Sequence, residues 1–516
     1  MTPRLTALAL ALALSSPTVL QAAAPAGVSW QAAAADADVD RAFAQAKAEK
    51  KPVLLYWGAK WCPPCNQLKA TLFKRQDFIE QSRTFVAVHV DGDLPGAQKL
   101  GKRFKVRGYP TMILFSTDGR EITRLPGEAD APQIMRLLQL GLSGGRSVRA
   151  VMSDVVVLDR KISVNEWRML SFYSWETDED RFLKANELPG VLTKLAVASE
   201  GVDADVSNRL WLKALAASNS GQGVKPDAAL RERVRKVLAD ATQSRSHADV
   251  LSNHAADIVR ALSPEPGAER QALVAEFETA LKRLEADATL SRADRLGALL
   301  ARVGLARIDQ PRTELIPKIA AALQQEVKTH AARADREITD GYERQAVITS
   351  AAYLLGQAGL WKDSDELLKA SLAKSHSPYY LMSQLGGNAK KQGRNDEALR
   401  WYEEAFNKSE GPATRLQWGS SYFSALVELA PLDAAKIEKT AAQLFAEAAK
   451  DKGAFYERSA RSLQRVGTQL ASWSAEGQHQ AVLSRLKTQL DGICAKVDTA
   501  DQQRATCEGL IKAPKT

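Results

Sequence analysis

The chain has 516 residues, 45% of them hydrophobic and 25% charged, and Lys plus Arg exceed Asp plus Glu by 9 (70 against 61). That length predicts roughly three or four domains rather than one core, and the composition suits a chain able to bury sizeable apolar cores. The basic excess is mild and forms no dense Lys/Arg run interleaved with aromatics, which argues against a nucleic-acid partner. The six histidines fall at no metal-ligand spacing with Cys, Asp or Glu, which argues against a metal.

The chain opens with Arg4, a short apolar run from Leu5 to Leu14, a break at Ser15-Ser16-Pro17, and small residues at Ala22-Ala23-Ala24. This pattern reads as a signal peptide over residues 1–24, cut after Ala22, Ala23 or Ala26, with an uncleaved membrane anchor as the alternative. Its brevity suggests a bacterial protein exported to the periplasm. No later stretch reaches the ~18 uncharged apolar residues of a membrane span.

A first helix is predicted over Asp38–Glu49, where Val39, Ala42, Phe43 and Ala46 form one apolar stripe. Val53 to Trp57 is a continuous apolar run of strand length and predicts a buried, central strand. A helix follows from Cys62 through Ala70, and a further helical turn from Asp77 to Ser82. Phe85–Val90 predicts a second strand, Gln98–Phe104 a helix. Met112–Phe115 and Glu121–Leu125 are strands joined by Asp118-Gly119, a hairpin signal. A helix over Ala131–Leu142 ends at a glycine-marked linker, Gly141, Gly144 and Gly145. Strands alternating with helices, then a hairpin, predict an α/β domain at 25–145: a mixed sheet with helices on both faces.

Beyond about residue 150 the chain reads as all-α: a helical region at 146–340, repeats at 341–445, and a C-terminal helical segment at 446–516. Gly359 and Gly393 are 34 residues apart, as are Pro378 and Pro412. Ser364 and Ser371 of one copy match Ala398 and Ala405 of the next, and the second copy also carries Leu385-Gly386 and Tyr402. A 34-residue period of paired helices is the tetratricopeptide pattern; an irregular bundle with chance spacing is the alternative. Cys494 and Cys507 lie in the last segment. They are expected to form a structural disulfide, with a second redox relay or free thiols as alternatives.

The strongest chemical signal is Trp61-Cys62-Pro63-Pro64-Cys65. Two cysteines at i and i+3 on a helix share a face and can close a disulfide. At the helix N-terminus, free N–H groups and the helix dipole stabilise a thiolate, so Cys62 is the expected nucleophile and Cys65 the less exposed resolving residue. Half of a zinc site and an inert disulfide are the alternatives. The first lacks a second Cys/His pair nearby, and the second would close too short a loop to add much stability.

These residues, with Lys51–Trp57 ahead of them and Val106-Arg107-Gly108-Tyr109-Pro110-Thr111 behind, resemble a thioredoxin domain. The similarity is greatest to the C-terminal domain of the bacterial transmembrane thiol–disulfide interchange proteins, and it covers about residues 35–142. The resemblance implies a redox-active disulfide with no other cofactor, a cis Pro110 beside it, and substrate contacts from Trp61, Tyr109 and Pro110. The family's usual buried Asp and Lys fall here at Tyr56 and Ala87, so the usual proton acceptor for the resolving cysteine is missing. Lys60 and Lys69 flank the motif as candidates to favour the thiolate.

The function expected is an exported protein thiol–disulfide oxidoreductase. It would act on disulfide-bearing proteins, draw on a membrane electron donor if it works reductively, and use its helical repeats to dock partners. A non-catalytic tetratricopeptide scaffold is the second reading. A copper chaperone is a weaker third, because Met and His helpers are missing around the dithiol. The oligomeric state is not legible.

Overall fold

The computed structural model describes residues 27–175, 183–218, 222–475 and 478–511; the predicted signal peptide lies outside the described residues. Strands β1 (Gln31–Ala33), β2 (Val53–Gly58), β3 (Val86–Asp91), β4 (Thr111–Phe115) and β5 (Glu121–Leu125) form one sheet in the order β1-β3-β2-β4-β5. β1 and β2 run parallel to β3, whereas β4 is antiparallel to β2 and β5 to β4.

The apolar run of β2 is central because both its faces are covered. Val53, Leu55 and Trp57 enter one core with helices α1 (Asp36–Glu49) and α4 (Ala97–Phe104). Leu54 and Tyr56 enter the other, with α2 (Pro63–Ala70), α3 (Gln76–Gln81) and α5 (Ala131–Leu142). The α1 helix starts two residues before its predicted first residue. Ala35 is the N-cap, and Asp38 lies in the first turn, its carboxylate reaching back to accept from the Ala34 and Ala35 amides at 3.0 and 2.9 Å. The β4–β5 turn places Gly119 at φ 80°, where a side chain would be strained. Strand β1 is absent from the sequence expectation: three residues carry no periodic signal, and only pairing with β3 makes them a strand.

The rest of the chain is a large helical region, running from helix Val148–Val156 to helix Gln503–Glu508. Its cores succeed one another along the chain, around Leu195 and Leu210, then Phe277 and Leu281, then Val327 and Leu355, then Phe423 and Phe445. Each helix pair therefore buries its apolar face mainly against its chain neighbours. Gly359 and Gly393, at φ 78° and 71°, lie just beyond helices Gly341–Gln357 and Pro378–Lys391. Pro378 and Pro412 open the helices Pro378–Lys391 and Pro412–Leu429. Gly386 lets the Tyr402 ring lie against its backbone, since a Cβ there would sit 3.0 Å from the ring.

Cys494 and Cys507 are disulfide-bonded, with Cα atoms 5.7 Å apart, and join helix Gln480–Cys494 to helix Gln503–Glu508 within the last core. Replacing both with Ala is expected to lower stability by about 3 kcal/mol through the freed unfolded chain. A lower urea midpoint for the double variant checks this; an unchanged midpoint contradicts it.

Candidate functional site

The site forms where β2 hands over to α2. Cys62 is the N-cap of α2, in extended conformation, and Pro63 and Pro64 occupy the first helical positions, where a missing N–H costs nothing. Cys62 and Cys65 are bonded to each other, Cα atoms 5.3 Å apart, and the Cys65 amide donates to Cys62 Sγ at 3.2 Å. That amide, with the positive end of the helix dipole, would stabilise a Cys62 thiolate once the bond is reduced.

Asn66 holds the turn: fully buried, it donates from Nδ2 to the carbonyls of Lys60 and Cys62, each at 2.8 Å. Nothing in the sequence distinguished Asn66 from any other helical polar residue.

The Tyr109–Pro110 peptide is cis. Gly127 lies so close to the Pro110 ring that a Cβ there would fall 2.8 Å from it. The ring of Tyr109 packs beside the disulfide with Trp61 and Ala59.

Both cysteines are buried, Cys62 being 2% exposed and Cys65 0%. Cys62 is covered almost as fully as Cys65, because the helical region packs over this end of the domain. Trp61 donates from Nε1 to Thr414 Oγ1 at 3.0 Å, stacks on Tyr380 and meets Trp418 edge-on. Gln345 donates to the Trp61 carbonyl at 3.0 Å. Gln67 of α2 donates to Asp294 at 2.7 Å.

Arg458 places its guanidinium 5.3 Å from the Trp61 ring centre and 5.1 Å from that of Tyr109, and forms an ion pair with Asp93. Thr414 donates its hydroxyl to the same Asp93 carboxylate. The structure thus brings Tyr109 and Pro110 to the edge of a cavity between the two regions, and turns Trp61 into the helical region instead.

The two flanking lysines have other partners. Lys60 pairs with Glu410 at 3.2 Å, and Lys69 lies 5.5 Å from the Tyr342 ring centre. Tyr56 is buried with an unpartnered hydroxyl, and stacks on His89 of the neighbouring strand at 5.0 Å.

Burial, with a contribution from Lys69, pushes His89 from its ordinary 6.5 down to about 4. A histidine held neutral in the fold but free to protonate when unfolded costs stability as pH falls from about 6.5 to about 4. Here that cost is about 3 kcal/mol at the acid end. His89→Phe, which keeps a ring against Tyr56, is therefore expected to lose less stability between neutral pH and about pH 4.5 than the parent. Equal losses in urea unfolding at the two pH values would contradict it.

Among the described residues no group of three or more His, Cys, Asp or Glu side chains is placed to hold a metal, and no helix is long and apolar enough to cross a membrane.

Residues 39–141 match the model of the thioredoxin-like domain. Over 97 residues the chain is 34% identical to thiol:disulfide interchange protein DsbD 2 of Pseudomonas aeruginosa, and over 98 residues 34% identical to thiol:disulfide interchange protein DsbD of Yersinia pestis. Each match covers 18% of this chain and 16% of the relative. Among solved structures, DsbH oxidoreductase aligns with 26% of this chain and 93% of its own, at 18% identity and a TM-score of 0.19. Residues 39–141 thus constitute a thioredoxin-like domain carrying a CxxC disulfide, and the chain spans about a sixth of the length of its curated relatives.

Proposed function

We propose that this protein is an exported thiol–disulfide oxidoreductase that reduces or isomerises disulfides of periplasmic proteins through Cys62 and Cys65. The observation that carries the reading is the Cys62–Cys65 disulfide at the head of α2, with the Cys65 amide directed at Cys62 Sγ. In the reduced protein the Cys62 thiolate attacks one sulfur of a substrate disulfide. That S–S bond breaks, the departing sulfur leaves as thiolate and takes up a proton, and a mixed disulfide remains. Cys65, giving up its proton, then attacks Cys62 and releases the second substrate thiol. Two electrons pass to the substrate, and the Cys62–Cys65 bond re-forms. Tyr109 and Pro110 are assigned to the substrate side of this exchange, and Trp61, held by the helical region, to fixing the loop ahead of Cys62. The helical region, with its tetratricopeptide-like period, is assigned to partner docking. Similarity to the interchange proteins favours reductive traffic fed by a membrane electron donor.

The burial of Cys62 favours a second reading, a scaffold whose thioredoxin-like domain does not turn over. The reduction potential, measured by equilibration with glutathione buffers, separates the two. A value near about −270 mV, as in thioredoxin, supports the reductive direction. A value of roughly −120 to −180 mV supports oxidation or isomerisation. Absence of a reversible couple supports the scaffold.

A further inference from the structure

The helical region does more than adjoin the thioredoxin-like domain: it walls a space beside the redox motif, bordered by Pro64 and Gln67 of α2 but by neither cysteine. A cavity of about 350 Å³ lies between the two regions. Pro64, which follows the nucleophile by two residues, and the Tyr109–Pro110 peptide form one side of it. Leu296 and Gly297, from helix Arg292–Ala306, and Ser252, from helix Ala248–Leu262, form the other. The flank of the motif at Trp61 is closed by Tyr380, Trp418 and Gln345. A folded protein presents about 800 Å² to a partner in a standard interface, whereas here both cysteines are buried, Cys62 2% and Cys65 0% exposed. A volume of 350 Å³ lies near the lower end of the roughly 300–1,000 Å³ that small-ligand sites offer.

Resting on the oxidoreductase reading, we propose that this cavity, bordered by Pro64 and the Tyr109–Pro110 peptide, seats the residues flanking the substrate cysteine, and that it selects a single extended, cysteine-bearing polypeptide segment over a disulfide on a folded surface. The segment's disulfide is cut by the exchange given above, with reducing equivalents from an external dithiol. The wall contributed by helix Arg292–Ala306 is then a specificity element: substrates must be unfolded near the cysteine to be served.

Gly297 allows a direct test. A Cβ at this position would meet only Ser252 Cβ, at an ordinary 3.9 Å, so a leucine has room at its root and fills the cavity with its outer atoms. Leucine also suits a helix interior better than glycine. Gly304, on the same helix with nothing within 4 Å of its Cβ position, provides the control.

Full-length protein kept reduced by dithiothreitol is assayed on three probes: a short unstructured peptide dimer joined by one disulfide, hydroxyethyl disulfide, and native insulin. The peptide-to-insulin ratio of kcat/KM is expected to exceed that of dithiothreitol alone by about tenfold or more. Gly297→Leu is expected to lower kcat/KM for the peptide by about tenfold, with Gly304→Leu unchanged and the reduction potential of both variants at the parent value. Ala293→Leu, on the same wall, replaces Gly297→Leu should that variant fail to fold.

The proposal is overturned by parental peptide rates in the wall variant, by a peptide-to-insulin ratio no greater than that of dithiothreitol alone, or by turnover of hydroxyethyl disulfide alone. Those outcomes with a reversible potential leave the oxidoreductase reading standing. Absence of the couple removes both.

Discussion

Cys62→Ser is expected to reduce disulfide exchange by at least about 10³-fold, to the uncatalysed background, whereas Cys65→Ser is expected to accumulate a covalent adduct with substrate. The two variants differ because the two sulfurs stand in different places. Cys62 is the N-cap of α2 and receives the Cys65 amide at 3.2 Å; a serine hydroxyl there stays protonated and cannot displace a thiolate from a disulfide. In Cys65→Ser the donating amide belongs to the backbone and persists, so the Cys62 thiolate keeps its stabilisation and attacks as before. What is lost is the second sulfur that releases the product. The mixed disulfide then waits for an external thiol. Intact mass spectrometry after incubation with a cystine peptide, without reductant, reads the adduct directly. An adduct on Cys65→Ser that is absent from Cys62→Ser supports the assignment of roles. No adduct on either variant removes the exchange mechanism.

The sequence makes the thioredoxin-like domain legible because its signals are local. The apolar run at Val53–Trp57 carries the central strand by its own length, Asp118-Gly119 carries the hairpin, and the two cysteines one helical turn apart carry the redox centre. What escapes is whatever depends on distant partners. Gln31–Ala33 is a strand only beside β3. Trp61 reads as a residue facing substrate because the motif alone says nothing of Tyr380, Thr414 or Trp418, more than 300 positions on, which claim its ring. Asp93 lies in the turn after β3, and its role, anchoring Arg458, depends on a partner 365 positions on. The helices of the second region follow from apolar periodicity, but no periodicity says that one of their faces closes over the disulfide.

Arg458→Met is therefore expected to act on the redox site from the far end of the sequence, costing about 3–5 kcal/mol of stability. The guanidinium is largely buried (12% exposed) and faces a buried Asp93 (10% exposed). A lone charge of that kind, once its partner is gone, keeps its desolvation cost without compensation. The Asp93 carboxylate would retain the Thr414 hydroxyl, which also accepts from Trp61 Nε1, so the loss propagates to the residue next to Cys62. Two cation–π contacts, to Trp61 and Tyr109, go at the same time. The paired variant decides whether the ion pair is the cause. Removing both charges, as Arg458→Met with Asp93→Leu, leaves no orphan ion, and the double variant is expected to be more stable than Arg458→Met alone. Urea unfolding of the parent, the two single variants and the double variant gives the coupling. Strict additivity would mean that Arg458 acts by packing alone, and that the charge pair does not tie the helical region to the Trp61 and Tyr109 loops. A favourable coupling, with Trp61 emission shifted in Arg458→Met, would mean that the docked helical region helps hold the geometry from which Cys62 reacts.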